Sequence, residues 1–116
     1  MLLGYSIVNG EALKTSQGSF KGFDPATGTT LEPDFHYASI DDLNRAAELA
    51  DEAFGAFSKL SGKERGQFLR QIAAGIEANA DELVARANKE TALPEARLKQ
   101  YEDSGRNARV LAKNIS

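Results

Sequence analysis

Residues 23–28 have the sequence Phe23-Asp24-Pro25-Ala26-Thr27-Gly28, which decides the first part of the fold. Pro25 presets the φ angle at the second position of a β-turn, and the glycine that ends the stretch accepts the conformation that closes it. We therefore predict a hairpin with strands over residues 19–24 and 29–37. Pro33 lies inside the second strand and has no N–H to donate, so we expect an edge position or a break there.

A second hairpin is predicted nearer the N-terminus. Asn9-Gly10 separates two short segments, residues 5–8 and residues 11–14. Asn-Gly is a strong hairpin signal, because both central positions of a type I′ turn require a positive φ angle.

After Ser39 the period at which apolar residues recur changes from 2 residues, typical of a strand, to 3.6 residues, typical of a helix. This change predicts helices. Ser39 is the expected N-cap of the first helix, and Asp41 and Asp42 follow in the first turn, where the helix dipole favours acids. Residues 61–64 have the form of a capping box, and residues 79–82 repeat that signature.

Each predicted helix carries one apolar stripe. The stripes are Leu43, Ala46, Ala47, Ala50, Ala53, Phe54 and Phe57, then Phe68, Leu69, Ile72, Ala73 and Ile76, then Leu83, Val84 and Ala87, and finally Leu98, Tyr101, Ala108, Ala112 and Ile115. Pro94 ends the third helix and fits the first turn of a fourth. The sequence therefore predicts an α+β fold, with a β-hairpin segment over residues 1–38 and three or four amphipathic helices over residues 39–116. We expect these two segments to form one partial domain.

Composition excludes several classes of site. The chain of 116 residues has no Cys and one His, so a disulfide framework, a zinc cluster and a thiol nucleophile are ruled out. Its 14 basic and 17 acidic residues give a net charge of −3, which favours no strong binding to nucleic acid. No apolar run approaches the ~20 residues of a membrane span, and we expect a cytoplasmic protein without a membrane partner.

Several side chains could be mistaken for catalytic groups. They are the adjacent carboxylates Asp41-Asp42, Asp81-Glu82 and Glu102-Asp103, the single His36, and the basic residues Lys99, Arg106, Arg109 and Lys113. Neighbouring carboxylates on a helix point in different directions, so they do not form an acid–base pair. For His36 we favour a surface or packing role, and for the basic residues a solvated face.

The order of these elements resembles the N-terminus of the NAD(P)-dependent aldehyde dehydrogenases, in which a similar turn closes a hairpin before helices rich in Ala and Phe. The resemblance covers residues 5–98 and weakens from Lys99. Its specific parts are the turn at residues 23–28, the helix at residues 40–60 and the stretches 67–73 and 88–98. The Glu-Thr-x-Leu-Pro run within residues 88–98 is most similar to the α-ketoglutarate semialdehyde (2,5-dioxovalerate) branch.

The resemblance implies an enzyme whose catalytic groups lie outside this segment. In the family a Cys thiolate attacks the aldehyde, a distant Glu activates water, and a Lys and a Glu hold the cofactor ribose. None of these residues has a counterpart here, so we expect no catalytic, no cofactor-binding and no metal-binding residue in this chain. NAD or NADP is the cofactor of the full-length family.

The sequence therefore favours the non-catalytic N-terminal segment of a dehydrogenase that oxidises a semialdehyde to an acid. Its expected partners are the remainder of the dehydrogenase or further copies of itself. The alternative is a self-contained helical interaction module without enzymatic activity.

Overall fold

The structure is a computed structural model that describes residues 2–14, 17–100 and 113. In chain order its elements are β1 (Ile7–Val8), β2 (Glu11–Ala12), β3 (Ser19–Asp24), β4 (Thr29–His36), α1 (Ile40–Phe57), α2 (Gly62–Ala78), α3 (Ala80–Thr91) and α4 (Glu95–Gln100). Within the described residues, the strands form two antiparallel pairs, β1–β2 and β3–β4. The predicted α+β class is confirmed.

Two compact units make up the chain, Met1–Ser58 and Lys59–Ser116. The first unit contains both hairpins and α1, and the second contains α2, α3 and α4. The change from strand to helix falls between β4 and α1, close to the expected boundary at residues 38 and 39. That the two segments belong to one larger domain stays a prediction.

The hairpin of β1 and β2 turns at Asn9 and Gly10, as predicted. Val8 pairs with Glu11, and the two turn residues have φ angles of 53° and 79°. Both angles are positive, which is the backbone conformation that Asn and Gly tolerate best.

The hairpin of β3 and β4 is closed by the turn at residues 25–28. Asp24, the last residue of β3, accepts hydrogen bonds at its carboxylate from the backbone N–H groups of Ala26 (2.9 Å) and Thr27 (3.3 Å). The Gly28 N–H donates to the Asp24 carbonyl at 2.8 Å, and Gly28 has a φ angle of 72°. The turn is therefore specified by side-chain capping at one end and by glycine at the other.

A break interrupts this ladder at Pro33, as its missing N–H predicts. Lys21 pairs with Asp34 but the next residue, Gly22, pairs with Leu31, so Glu32 and Pro33 lie outside the regular register. The Glu32–Pro33 peptide bond is cis. Across the bulge, the Lys21 ammonium contacts the Glu32 carboxylate and lies 3.3 Å from the Asp34 carboxylate.

Helix α1 begins at a capping box. The Ser39 hydroxyl accepts from the Asp42 N–H at 3.0 Å, and the Asp42 carboxylate accepts from the Ser39 N–H at 3.0 Å. No residue of α1 is buried, and Leu43 and Phe54 are 62% and 67% exposed. The apolar stripe predicted for this helix is therefore present but largely exposed to solvent.

The second unit holds the buried hydrophobic side chains of the described residues. These are Ala73 of α2 and Val84 of α3, and α3 also contacts α4. Leu83, expected on the core face of α3, is 48% exposed, because the adjacent Val84 takes the buried position. The stripe residues Tyr101, Ala108, Ala112 and Ile115 of the expected fourth helix lie outside the described residues.

The predicted N-terminal cap of α3 is wrong. Asn79 makes no side-chain hydrogen bond to the first turn of α3, and its side-chain amide instead donates to the Gly75 carbonyl of α2 at 2.8 Å. Only this residue separates α2 from α3, and its backbone N–H also bonds to the end of α2. Asn79 therefore satisfies carbonyl groups of the helix that ends rather than N–H groups of the helix that begins.

Candidate functional site

The N-terminal segment lies along the outer edge of β4. The His36 N–H, in the last residue of β4, donates to the Gly4 carbonyl at 2.7 Å. A Cβ atom at Gly4 would lie 1.7 Å from the Asp34 carbonyl oxygen, so only glycine permits this approach. The segment thereby covers backbone groups that β4 would otherwise expose at the sheet edge.

An aromatic cluster forms where this segment meets the hairpin. The rings of Tyr5 and His36 stack with centroids 4.4 Å apart and an angle of 7° between their planes. Phe20 stacks on Phe35 at 5.5 Å and contacts Tyr37 at 5.4 Å. His36 therefore takes part in a stacking contact, which is the kind of packing role that the sequence favours for it.

A shallow cavity of about 250 Å³ opens beside the cluster. Its lining comprises Gly4, Tyr5, Ser6, Phe20, Phe35 and His36. Pockets for small ligands usually exceed about 300 Å³ and enclose most of the ligand, whereas this cavity is smaller and open.

The candidate carboxylates in the described residues lie in the first turns of helices. Asp42 closes the box with Ser39, and Glu64 closes a second box with Ser61 at the start of α2. Hydrogen bonds from the Ser61 backbone N–H and hydroxyl hold the pKa of Glu64 below its ordinary value. Asp81 and Glu82 lie in the first turn of α3, where the helix dipole favours acids.

The remaining charged candidates do not converge in the described part of the chain. Lys99 and Lys113 are exposed, and Glu102, Asp103, Arg106 and Arg109 lie outside the described residues. Among residues 2–14, 17–100 and 113, no group of three or more His, Cys, Asp or Glu side chains could hold a metal ion.

The α3–α4 connection, within the family-like stretch at residues 88–98, is held by side chains. The Asn88 amide donates to the Leu93 carbonyl at 2.7 Å. The Thr91 hydroxyl donates to the Ala87 carbonyl at 2.7 Å and accepts from the Leu93 N–H at 3.2 Å. Ala92, between them, has a φ angle of 58°. The polar residues of this stretch thus build the turn that ends α3.

Sequence reasoning missed the contact between Tyr5 and His36. Alternating apolar residues predict strands, but they do not specify which distant strands lie side by side. One available signal was Gly4, since a glycine beside a strand often marks a close backbone approach.

The chain belongs to the aldehyde dehydrogenase family, whose family model matches residues 13–114. This confirms the family resemblance, and the match continues past Lys99, where the resemblance seen in the sequence weakens. In the described residues no helix has the length and apolar character that crossing a membrane requires.

Two of the similar proteins are α-ketoglutaric semialdehyde dehydrogenases. Alpha-ketoglutaric semialdehyde dehydrogenase 2 of Azospirillum brasilense is 41% identical over 98 residues, which are 84% of this chain and 19% of that protein. Alpha-ketoglutaric semialdehyde dehydrogenase of Bacillus subtilis (strain 168) is 35% identical over 95 residues, covering 79% of this chain and 20% of that protein.

A third relative has a different activity. The 1-pyrroline-5-carboxylate dehydrogenase of Staphylococcus epidermidis is 33% identical over 79 residues, or 68% of this chain and 15% of that protein. The chain thus spans about a fifth or less of the length of these curated relatives.

Proposed function

We propose that this chain is the non-catalytic N-terminal segment of an NAD(P)-dependent aldehyde dehydrogenase, which in its full-length form oxidises a semialdehyde to a carboxylic acid. One observation carries the proposal: the family match extends over residues 13–114, yet the matched segment is only about a fifth of each α-ketoglutaric semialdehyde dehydrogenase. Most of such an enzyme therefore lies beyond the segment matched here.

The side-chain chemistry of the chain supports a non-catalytic role. Covalent catalysis on an aldehyde through a thiolate requires a Cys, and the chain has none. The aromatic cluster offers the Tyr5 hydroxyl and the His36 ring, but these rings are stacked on each other rather than aimed at a common point.

The N-terminal turns of α1 and α2 are unfavourable places for the pyrophosphate of NAD or NADP. A dinucleotide phosphate is commonly held by the N–H groups of a helix N-terminus. The N-terminal turns of α1 and α2 each already hold a carboxylate of their own, from Asp42 and Glu64. These negative charges would repel a phosphate, so we assign cofactor binding to the remainder of the enzyme.

For the substrate we propose α-ketoglutarate semialdehyde. The support is the identity to two relatives named for that substrate, together with the Glu-Thr-x-Leu-Pro run at residues 90–94. The cytoplasmic location expected from the sequence stays a prediction.

A chimaeric enzyme tests the proposal. The matched 98-residue segment of the Azospirillum brasilense enzyme is replaced by the aligned residues of this chain, and NADH and NADPH production from α-ketoglutarate semialdehyde is measured. We expect a folded chimaera that retains turnover, whereas the 116-residue chain alone should give none.

A second chimaera carrying Ala73→Asp serves as the control, because Ala73 is fully buried and a charge there should prevent the segment from packing. A folded but inactive first chimaera would contradict the proposal and favour the interaction-module alternative. Turnover by the isolated chain would contradict the non-catalytic role.

A further inference from the structure

Asn9 and Gly10 form the two-residue turn between β1 and β2. Their φ angles of 53° and 79° both lie in the left-handed region that a type I′ turn requires. Both residues are exposed, and a Cβ atom added at Gly10 would meet no atom within 4 Å beyond its chain neighbours. The turn is therefore open to solvent on the side of Gly10.

Asn9 is the one asparagine of the chain that a glycine follows. The other asparagines are Asn44, Asn79, Asn88, Asn107 and Asn114, and the residues after them are Arg, Ala, Lys, Ala and Ile. The backbone nitrogen of the residue after an asparagine can close a ring on the asparagine amide carbon. A side chain on that residue hinders the approach, and glycine has none. The sequence thus singles out Asn9 for reaction with its own main chain.

The nitrogen that would close this ring is not held by a hydrogen bond. In the part of the chain that the structure describes, no group accepts from the Gly10 N–H. Asn44 and Asn88 differ, because they lie inside α1 and α3, where the N–H of the next residue bonds to a carbonyl of the preceding turn. Asn9 therefore has a neighbouring nitrogen that is both unhindered and unrestrained.

We propose that Asn9 is a site of spontaneous chemical modification, at which the chain loses ammonia and forms an isoaspartyl linkage. The Gly10 nitrogen bonds to the Asn9 amide carbon and gives a cyclic imide, while the side-chain nitrogen leaves with the Gly10 proton as ammonia. Water then opens the imide at one of its two carbonyl groups. Opening at the side-chain carbonyl gives aspartate, and opening at the main-chain carbonyl gives isoaspartate. Water is the only co-reactant, and nothing is oxidised or reduced.

The hairpin is short enough for the turn to reach the geometry of ring closure. Its strands have two residues each, paired as Ile7 with Ala12 and Val8 with Glu11. Ile7 is 67% exposed, and Glu11 and Ala12 are also exposed, so little buried apolar surface opposes a local opening. A two-stranded hairpin is by itself only marginally stable in water. The fixed backbone of the turn should therefore slow the reaction without preventing it.

The isoaspartyl linkage should in turn open the hairpin. It carries the main chain through the side-chain carbons of residue 9, which lengthens the turn by one methylene group. The pairing of Val8 with Glu11 depends on the length of the turn. Next to this pair of strands, the Leu13 N–H donates to the Ser6 carbonyl at 2.8 Å. We therefore expect this hydrogen bond to break more often in the isoaspartyl chain.

Peptide mapping by mass spectrometry, after incubation of the 116-residue chain in neutral buffer, tests the modification. An isoaspartate-specific methyltransferase distinguishes isoaspartate from aspartate in the same peptides. We expect Asn9 to be converted severalfold faster than Asn44 and Asn88, with isoaspartate among the products. Asn9→Gly is the matched control, because Gly-Gly also supports a type I′ turn but has no amide to lose. The N-terminal peptide of this variant should gain no isoaspartate.

Hydrogen exchange of the Leu13 amide, measured by NMR, tests the effect on the hairpin. We expect severalfold faster exchange in the purified isoaspartyl chain than in the natural chain. Freshly prepared Asn9→Asp carries the new negative charge without the additional methylene group, so it should exchange like the natural chain.

An Asn9 that keeps its amide as long as Asn44 and Asn88 overturns the proposal, as does conversion to aspartate without isoaspartate. Equal exchange of the Leu13 amide in the isoaspartyl and natural chains overturns the opening of the hairpin. The inference does not rest on the proposed enzymatic function, because the chimaera measures turnover whereas these experiments measure a reaction within the chain itself.

Discussion

Ser61 and Glu64 satisfy each other's hydrogen-bonding groups at the start of α2. The Glu64 carboxylate accepts from the Ser61 N–H at 2.8 Å and from the Ser61 hydroxyl at 2.9 Å. The Ser61 hydroxyl in turn accepts from the Glu64 N–H at 3.2 Å. Two backbone N–H groups that have no partner inside the helix are thereby satisfied by one pair of side chains.

Removing the serine hydroxyl from either capping box should destabilise the chain. We expect Ser61→Ala and Ser39→Ala each to cost about 0.5–2 kcal/mol of unfolding free energy, because each leaves a helix N–H group unpaired. Ser58→Ala is the matched control, since its hydroxyl makes only a long 3.3 Å bond to the Gly55 carbonyl. Denaturant unfolding followed by circular dichroism measures the unfolding free energy of all three variants. Equal losses in the three would show that the hydroxyls of the capping boxes contribute no more than that of Ser58.

Acid should weaken the box at α2 in a defined direction. Because the pKa of Glu64 is lowered from 4.5 in the folded chain, the folded state favours its carboxylate over its carboxylic acid. This contribution to stability is fully present above pH 4.5 and is lost as the pH falls through the lower folded pKa.

Glu64→Gln keeps a side chain that can accept from the Ser61 N–H but removes the titration. Its stability should therefore fall less than that of the natural chain below pH 4.5. Unfolding curves at a series of pH values measure this, and parallel losses in the two proteins would contradict the prediction.

The elements that the sequence predicts correctly are those whose determinants are local. The Asn9-Gly10 pair and the stretch at residues 24–28 each fix a turn through their own residues. Ser61 lies only three residues from Glu64. Asn79 is different, because its side chain can bond either to the end of α2 or to the start of α3. The sequence pattern indicates only the start of α3. The hydrogen bond from the Asn79 amide to the Gly75 carbonyl can be predicted only once it is known that α2 continues to Ala78.

The candidate site illustrates the opposite case. Tyr5 and His36 are 31 positions apart in the sequence, and alternating apolar residues do not indicate which strands pair. The bulge at Pro33 also shifts the register between β3 and β4, so the position of His36 beside Tyr5 depends on the whole hairpin. The candidate carboxylates were easier to interpret, because a helix N-terminus explains an acidic residue without reference to distant parts of the chain.

Two exposed helical glycines should be replaceable with a gain in stability. A Cβ atom at Gly55 of α1 or Gly75 of α2 would meet no atom within 4 Å. Gly55→Ala and Gly75→Ala should therefore each raise the unfolding free energy by about 0.5–1 kcal/mol, since alanine loses less backbone entropy in a helix. Gly66→Ala is the contrasting variant, because Gly66 is buried and should show no such gain. Thermal unfolding measures all three, and a loss at Gly55 or Gly75 would contradict the prediction.

The opposite result is expected at Gly4. The Cβ atom of Gly4→Ala would lie 1.7 Å from the Asp34 carbonyl oxygen and 2.8 Å from its carbon, and both are backbone atoms of β4. The N-terminal segment must then leave the strand edge, which breaks the bond from the His36 N–H to the Gly4 carbonyl and separates the Tyr5 and His36 rings. We expect a loss of about 1–3 kcal/mol in unfolding free energy and faster hydrogen exchange of the His36 amide, measured by NMR.

Ser6→Ala, in the same segment, should leave that exchange rate unchanged. A His36 amide that exchanges as slowly in Gly4→Ala as in the natural chain would show that the segment does not cover the edge of β4.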